Sequence, residues 1–357
     1  MGEKILLLTT KWRMITMGQG IYSAATYQAQ TASRIASGTN FAYSQSAKST
    51  GNYKPHETLD PKKKAGKTSP FAGQVMRESR DNPDHPNSTP ISIAFDVTGS
   101  MSENPEIIQR KLKDLFGVLL RKGYVEDPQI MTMAYGDAKS DYIPLQVSEY
   151  ESDNRIDDCL DNVVLEGRGG GNGGESSMLA GYFVAHHTAT DAWDKRRKKG
   201  YLFFVGDEIS HTITADQVKE YIGDGEPLGS LESKDIAAAL QERYHVFFLL
   251  IDNMSARGQR SQDFYTKLFG KQNVMVLEDA EGVAETIALC IGFTEGTIDS
   301  IDDGEDDLLE NGLNAVAIRS ATSAVRKSGL SNLAGAGTLA KGNAGLDFGS
   351  GGGAGRL

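Results

Sequence analysis

Short apolar runs alternate with amphipathic stretches over residues 89–294. The runs are four to six residues long and rich in Ile, Val, Leu, Phe and Tyr, a pattern typical of buried strands. They predict strands at 91–95, 130–134, 142–147, 201–205, 246–251 and 274–277. The amphipathic stretches predict helices over 107–119, 178–189, 236–244, 264–269 and 283–291.

This alternation predicts an α/β fold. Strands that are apolar on both faces are typical of a mostly parallel sheet with helices on both sides, which gives a doubly wound, Rossmann-like arrangement of three layers. The run at 142–147 follows the preceding strand after a short connection. A parallel crossover needs more chain, so we expect this run to be an antiparallel edge strand.

The two flanks of this region differ from it in composition. Residues 1–90 hold 12 basic against 6 acidic side chains and show little periodicity, so we expect an irregular, basic N-terminal arm. The C-terminal flank begins with an acidic segment and ends in a glycine-rich tail, between which one amphipathic helix could form over 311–327. The predicted domains are therefore 1–88, 89–294 and 295–357.

Charge and cysteine usage indicate the compartment and the class of partner. The chain has a net charge of −11 and two cysteines, Cys159 and Cys290, neither in a CxxC pair, so we expect neither a disulfide framework nor a zinc site. The apolar run near the N-terminus is too short for a signal sequence or a membrane span. These features favour a cytoplasmic protein without a membrane partner. We do not expect nucleic acid as a partner, because such a basic arm is more often simply solvated.

The first candidate site follows the strand predicted at 91–95. This strand ends in Asp96-Val97-Thr98-Gly99-Ser100, so a carboxylate and two hydroxyls stand at alternate positions and can turn three oxygens toward one point. Hard dications such as Mg²⁺ bind oxygen ligands of this kind, and Mn²⁺ or Ca²⁺ could take the same place. Two hydroxyls with one or two carboxylates leave the ion under-neutralised, so it can accept a carboxylate from another molecule. A hydrolytic site typically concentrates more acidic ligands, and we expect no enzyme activity.

Two further loops are expected at the same edge of the sheet, because the carboxyl ends of parallel strands meet there. One is the glycine-rich stretch EGRGGGNGGESS, residues 166–177, in which Glu175 or Ser176 is the preferred ligand and Asn172 the third choice. The other follows the fourth predicted strand and begins with Asp207-Glu208. Glu208 is expected to face solvent or to contact the ligands without contacting the metal.

A structural role is the alternative interpretation of these side chains. Asp96 and Asp207 could each cap a helix or a turn, and taken singly that would be the commoner role. Their combination with Thr98 and Ser100 favours a metal site. Asp137, after the second predicted strand, could support the site or only stabilise a turn.

The stretch FDVTGSM, residues 95–101, resembles the metal-ion-dependent adhesion site (MIDAS) of the von Willebrand factor type A (vWA) domain, whose first motif is Asp-x-Ser/Thr-x-Ser after the first central strand. The order of predicted elements over 89–294 is similar to that fold, and Asp207 stands where the family has its later metal-site aspartate. The resemblance implies a relative of the intracellular, bacterial or phage type. The family usually supplies a threonine from the middle loop, whereas this chain has Glu175 and Ser176 there, and some bacterial relatives carry a similar glycine-rich loop that contains a glutamate. An acidic ligand there would weaken the recruitment of a carboxylate and favour a closed, structural metal.

The resemblance and the residues together predict a metal-dependent protein–protein interaction module. Its Mg²⁺ site would recognise an acidic residue of a protein partner. Intracellular members of the family often work beside AAA-type ATPases in macromolecular assembly, so the resemblance implies an ATPase partner or self-assembly. The alternative is a structural subunit of a large particle such as a virion, with arm and tail connecting neighbouring subunits. A metal-dependent phosphoesterase is the least favoured interpretation.

Overall fold

The computed structural model describes residues 22–37, 41–168, 173–252 and 255–332. The helices in these ranges are α1 Ala24–Ser37, α2 Ala42–Thr50, α3 Asn104–Lys122, α4 Arg155–Asp161, α5 Ser177–His186, α6 Asp191–Arg196, α7 Ala215–Tyr221, α8 Ser233–Arg243, α9 Ala256–Phe269, α10 Val283–Glu295, α11 Ile301–Glu310 and α12 Ala315–Ser328. The strands are β1 Arg77–Ser79, β2 Thr89–Asp96, β3 Pro128–Tyr135, β4 Leu145–Val147, β5 Thr188–Thr190, β6 Gly200–Gly206, β7 Tyr244–Ile251 and β8 Val274–Leu277.

One sheet contains six of these strands, in the order β4-β3-β2-β6-β7-β8. All neighbouring pairs are parallel except β3 and β4. The predicted α/β fold, with a mostly parallel sheet between helices, is confirmed, and so is the antiparallel edge strand. Each predicted strand matches one strand of this sheet. β4 begins only at Leu145, because Pro144 has no N–H to donate to a neighbouring strand.

Strand β2 lies inside the sheet and is buried along its whole length. Ile91, Ile93 and Phe95 point to one face, where they pack with apolar side chains of α3, α10 and α12. Ala94 points to the other face, which α5, α8 and α9 cover. A strand that is apolar on both faces is stable only between two helical layers, so the core fixes where the end of β2 lies.

Helices α11 and α12 extend the core beyond α10. Leu308, Ile318 and Val325 are buried in the same cluster as the β2 side chains. The amphipathic helix predicted within 311–327 is confirmed as α12, which begins after Asn314, whose side chain accepts hydrogen bonds from the first turn. The domain boundaries drawn from the sequence stay a prediction, but the packed core reaches α12.

Part of the basic arm packs on the sheet. β1 pairs with β5 in a separate, parallel two-stranded sheet. Arg77 in β1 is fully buried and donates to the carbonyl oxygens of Asp60 (2.8 Å), Lys63 (2.9 Å) and Ser148 (3.0 Å). The carbonyl oxygen of Leu59 accepts a hydrogen bond from the edge strand β4. The arm therefore covers an edge that would otherwise expose unpaired backbone groups.

Three sequence predictions concern other parts of the chain. Cys159 and Cys290 are buried and form no disulfide. Within the described ranges, no helix has the length and apolar character needed to cross a bilayer. The start of the predicted arm, 1–21, and most of the predicted tail, 333–357, lie outside the described residues.

Candidate metal centre

The loop after β2 brings three predicted ligands together. Asp96 Oδ1 accepts a hydrogen bond from the Thr98 N–H at 2.8 Å, which closes a tight turn directly after the strand. The hydroxyl oxygens of Thr98 and Ser100 are 3.0 Å apart, within hydrogen-bond distance. Asp96 and Thr98 are buried, whereas Ser100 is half-buried and Gly99 is exposed. The loop thus buries its carboxylate and leaves its last hydroxyl accessible from solvent.

Strand β6 brings the fourth predicted ligand to the same place. Asp207 directly follows β6, and its Oδ1 accepts a hydrogen bond from the Ser100 hydroxyl at 3.1 Å. β2 and β6 are neighbours in the sheet, so this contact joins the ends of adjacent parallel strands. The last residue of β6, Gly206, has to be glycine, because a Cβ there would lie 2.2 Å from the Tyr135 hydroxyl and 3.4 Å from the Asp96 Cβ.

Glu175 reaches the centre from the glycine-rich loop. Its main chain is held by the loop after β6, since the Glu175 N–H donates to the Ile209 carbonyl (2.9 Å) and the His211 N–H donates to the Glu175 carbonyl (2.7 Å). The Glu175 side chain is buried, close enough to Asp96 for the two carboxylates to repel each other. A carboxylate in this position must be protonated or bound to a cation.

Ser176 is buried next to Glu175 in the chain but takes a different role. Its hydroxyl accepts a hydrogen bond from the Ala138 N–H (2.9 Å), and its own N–H donates to the Gly136 carbonyl (3.0 Å). These bonds anchor the start of α5 to the loop after β3. Ser176 therefore positions Glu175 rather than turning its hydroxyl to the Asp96 turn. Asn172, the third choice from the sequence, lies outside the described residues.

The centre contains buried carboxylate oxygens without partners. Among the described residues, Asp96 Oδ2 and both side-chain oxygens of Glu175 form no hydrogen bond of normal geometry, although the Thr98 side chain lies close enough to lower the pKa of both carboxyls somewhat. Burial raises the pKa of Asp96 well above its ordinary value, and the nearby Asp207 carboxylate raises it further. Burial also raises the pKa of Glu175 to about 10, with smaller contributions from Asp96 and Asp137. Buried polar atoms are nearly always paired in folded proteins, so a cation fits these oxygens.

Carboxylates alone do not form the site. In the part of the chain that the structure describes, no three Asp, Glu, His or Cys side chains are grouped so that they could hold a metal by themselves. An ion bound here would therefore also need the two hydroxyls, and a mixed set of carboxylate and hydroxyl oxygens completed by water would suit Mg²⁺. The structure brings together five of the six predicted residues, and that they bind a metal stays a prediction. These five are Asp96, Thr98, Ser100, Glu175 and Asp207.

The first turns of α9 carry two arginines that the sequence analysis missed. Arg257 donates a hydrogen bond to Glu208 Oε1 and forms an ion pair with Asp207 Oδ2, both at 2.9 Å, while its side chain stays 51% exposed. Arg260, one turn further, donates to the Gly173 carbonyl in the glycine-rich loop at 2.7 Å. Helix α9 thus ties two loops of the centre together. The sequence does show two arginines three residues apart after a buried strand. It does not show which groups they contact, because that depends on how α9 packs.

Asp137 stabilises a turn, one of the two roles that the sequence left open for it. Its Oδ1 accepts a hydrogen bond from the Lys139 N–H (3.0 Å), and its Oδ2 accepts one from the Ser140 hydroxyl (2.8 Å). Its own N–H donates to Asp141 Oδ2 at 2.7 Å. Asp137 affects the centre through its charge, which contributes to the raised pKa of Glu175.

We expect Arg257→Gln to bind Mg²⁺ about fivefold more tightly than the wild-type protein. The guanidinium lies 2.9 Å from Asp207 Oδ2 and repels a dication held by the same carboxylate. Because the arginine is half exposed, removing its charge is worth only about 1 kcal/mol after solvent screening. Isothermal titration with MgCl₂ measures the change, and Arg257→Lys, which keeps the charge, is the control. An unchanged or weaker affinity of Arg257→Gln would contradict an ion beside Asp207.

Comparisons with known proteins give no family assignment. No protein-family model matches the chain, and no curated protein matches it. Among solved structures, the pilus adhesin SpaC from Lactobacillus rhamnosus GG is similar with 12% identity and a TM-score of 0.39, over 61% of this chain and 31% of that one. Proximal thread matrix protein 1 from the mussel byssus has 12% identity and a TM-score of 0.40, over 57% and 47%. The conserved hypothetical protein BatB from Bacteroides thetaiotaomicron has 11% identity and a TM-score of 0.35, over 56% and 96%. Similarities this weak assign neither a family nor a function to the chain.

Proposed function

We propose that this chain is a metal-dependent protein–protein interaction module. A dication, with Mg²⁺ the best match and Mn²⁺ or Ca²⁺ as alternatives, would be held by Asp96, Thr98, Ser100 and Asp207, with Glu175 beside them. The observation that carries the proposal is the unpartnered Asp96 Oδ2 and Glu175 carboxylate next to the linked hydroxyls. The raised pKa of Glu175, about 10, would keep that side chain protonated, so the ion would neutralise Asp96 and Asp207 and still offer a coordination position to a carboxylate of a partner protein.

The accessibility of the centre supports recognition of a partner. Asp96 and Glu175 are buried, whereas Ser100 is half-buried, Gly99 is exposed and Arg257 is half exposed. A partner side chain would therefore approach from the side of the Gly99–Ser100 turn. A purely structural ion would be expected to be covered on this side as well. The three exposed or half-exposed residues define the face where the partner would bind.

The choice of partner follows from the resemblance of FDVTGSM to the vWA adhesion motif. The proposed partner is a protein that presents an acidic residue, either an AAA-type ATPase or a second copy of this chain during assembly. The proposed role is binding without a chemical step. The same residues would permit a metal-dependent phosphoesterase, which turnover of phosphomonoesters in Mg²⁺ or Mn²⁺ would reveal.

The alternative role as a structural subunit of a particle receives less support. In that role the arm would reach a neighbouring subunit. The part of the arm around Arg77 instead packs on the body of the same chain, through the bond of Arg77 to the Ser148 carbonyl and the pairing of β1 with β5. The metal centre is thus the better-supported site of interaction.

Affinity capture from the source organism tests the metal-dependent role. We expect the immobilised protein to retain a partner in Mg²⁺ and to lose at least about tenfold in affinity for it in EDTA, because the partner carboxylate would lose its ligand. Asp96→Ala should give the same loss in Mg²⁺, while Asp84→Ala, at an exposed position, should retain the partner. Capture of the same partners at the same affinity in EDTA, or by Asp96→Ala, would show that recognition does not depend on the metal.

A further inference from the structure

A cleft of about 350 Å³ opens at the edge of the sheet, beside β4. Its walls come from the arm, from the loop between β3 and β4, and from the end of α7. The walls contain three tyrosines and three prolines, and we name it the tyrosine cleft. These residues are Tyr53, Tyr142, Tyr221, Pro55, Pro61 and Pro144.

Buried partners hold both main walls in place. On the arm side, the Leu59 carbonyl accepts a hydrogen bond from the backbone of β4, and the Asp60 carbonyl accepts one from buried Arg77 at 2.8 Å. On the loop side, the N–H of Ile143 donates to Glu166 Oε1 at 2.6 Å. A binding site whose walls are fixed by the core loses little entropy when it takes up a ligand. The tyrosine cleft is therefore formed in advance.

Tyr142 gives the tyrosine cleft an aromatic surface that is exposed to solvent. The rings of Tyr53 and Tyr142 are stacked, with centroids 5.2 Å apart and an interplanar angle of 11°. The guanidinium of Arg168 lies 4.7 Å from the centre of the Tyr142 ring. Despite these contacts Tyr142 remains 58% exposed. Large aromatic side chains that are ordered and exposed mark binding surfaces more often than chance would give.

The polar groups of the tyrosine cleft indicate what kind of segment fits it. Lys54 and Lys62 are balanced by Asp60 and Glu220, so the lining selects no net charge. The hydroxyl of Tyr53, which lines the cleft, is a hydrogen-bond donor that can serve a ligand. A neutral segment with flat apolar faces and free carbonyl oxygens complements these properties. A polyproline II segment has both, because its backbone makes no internal hydrogen bonds.

We propose that the tyrosine cleft binds an extended, proline-containing segment of a partner protein in the polyproline II conformation. Proline rings of the segment pack on Tyr53 and on the part of the Tyr142 ring that Tyr53 and Arg168 leave exposed, and its carbonyl oxygens accept hydrogen bonds from tyrosine hydroxyls. The cleft lies next to the metal centre, since the N–H of Gly99 donates to the Arg168 carbonyl at 2.7 Å while the Arg168 side chain covers Tyr142. One partner could therefore contact both, but binding in the cleft does not depend on the metal.

Fluorine NMR of the full chain labelled with 3-fluorotyrosine tests this proposal. The probe is a peptide of repeated Ala-Pro-Pro units, with repeated Ala-Gly-Ser as the matched neutral control. We expect saturable shifts of the Tyr53 and Tyr142 resonances with the proline peptide alone, with a dissociation constant up to about 1 mM for so simple a sequence. Tyr142→Ala should weaken binding at least about fivefold, through loss of the stacked ring.

Two further variants make the result specific. Leu228→Ala removes a side chain that is equally exposed (59%) outside the cleft and should leave the affinity unchanged. Removal of divalent cations from the wild-type protein with EDTA should also leave it unchanged, so a failure of the metal-dependent role and a failure of this proposal give different results. Equal shifts with both peptides, no saturable shift up to about 5 mM, or an equal loss in Leu228→Ala would each overturn the proposal.

Discussion

In metal-free buffer at neutral pH, we expect Asp96→Asn to be about 1 kcal/mol more stable than the wild-type protein. Asp96 is fully buried, its Oδ2 has no partner among the described residues, and burial raises its pKa well above the ordinary value. Asparagine removes the cost of burying this carboxylate. It retains an Oδ1 that can accept the hydrogen bond from the Thr98 N–H. The substitution should therefore stabilise the protein only as long as no cation is present.

In Mg²⁺ the wild-type protein should instead be more stable than Asp96→Asn. At about 100 times its dissociation constant, an ion that binds only the folded state adds about 2.7 kcal/mol to the free energy of unfolding of the wild-type protein. Asp96→Asn should gain almost nothing, because the amide has lost the charge that attracts the ion. Urea unfolding in EDTA and in MgCl₂ measures both effects, with Asp84→Asn at an exposed position as the control. Equal stabilisation of Asp96→Asn and the wild type by Mg²⁺ would place the ion elsewhere.

The strands of the main sheet could be predicted because burial on both faces leaves a plain pattern in the sequence. Residues 91–95 are apolar at alternate positions and 201–205 throughout; Asp96 follows the first run directly, and Asp207 follows the second after Gly206. The rule that parallel strands end at one edge then suffices to bring Asp96 and Asp207 together. Ser100 belongs to the turn after Asp96, so its hydrogen bond to Asp207 follows from the same order of the strands.

Other elements were missed because tertiary contacts outweigh their local pattern. The segment 299–310, which contains α11, has seven acidic residues, and these obscure the pattern of the two buried apolar residues of the helix, Ile301 and Leu308. Its acidic first turn and the Ser300 cap suit a helix N-terminus, where negative charge is favourable. β1 is the tripeptide Arg-Glu-Ser, which has no strand signal, and it forms because Arg77 finds buried partners.

Part of the candidate site could likewise be predicted from the sequence, and part of it could not. The Asp96, Thr98 and Ser100 turn is local and could be predicted from its spacing alone. The choice between Glu175 and Ser176 could not, because adjacent residues differ only in which loop their side chains meet. Ser176 bonds to the backbone of the loop after β3, whereas Glu175 lies against Asp96. The contacts of the two arginines of α9 depend on packing between distant segments, and the sequence pattern does not show this packing.

Arg77→Ala is expected to lower the free energy of unfolding by about 3–4 kcal/mol. The Arg77 side chain is fully buried, and its guanidinium lies 5.5 Å from the centre of the Phe183 ring. Burial lowers its pKa, so its charge depends on the three carbonyl oxygens it contacts and on nearby Glu149. Alanine leaves those oxygens unpaired and opens a cavity. Urea unfolding of the variant and the wild type measures the loss.

Two variants separate the causes of this loss. Arg77→Met keeps most of the volume but leaves the carbonyl oxygens unpaired, so its loss should be smaller than that of alanine. Arg80→Ala removes an arginine three residues away whose side chain is 30% exposed and pairs with Asp191 at 2.8 Å. Its loss should be about 1 kcal/mol or less, because solvent screens the pair. An Arg77→Ala loss no larger than that of Arg80→Ala would mean that other contacts anchor the arm.

The same substitution also separates the two proposed binding sites. Arg77 holds the carbonyls of Asp60 and Lys63, and this segment forms one wall of the tyrosine cleft and covers β4. In Arg77→Ala, backbone amides of 59–64 should therefore exchange with solvent faster, and the cleft should lose affinity for the proline peptide. The metal centre is held by β2, β6 and α9, none of which contacts Arg77 through a hydrogen bond in the described residues. Mg²⁺ affinity should stay within about twofold of wild type, and a parallel loss of both affinities would mean that the arm supports the whole carboxyl edge of the sheet.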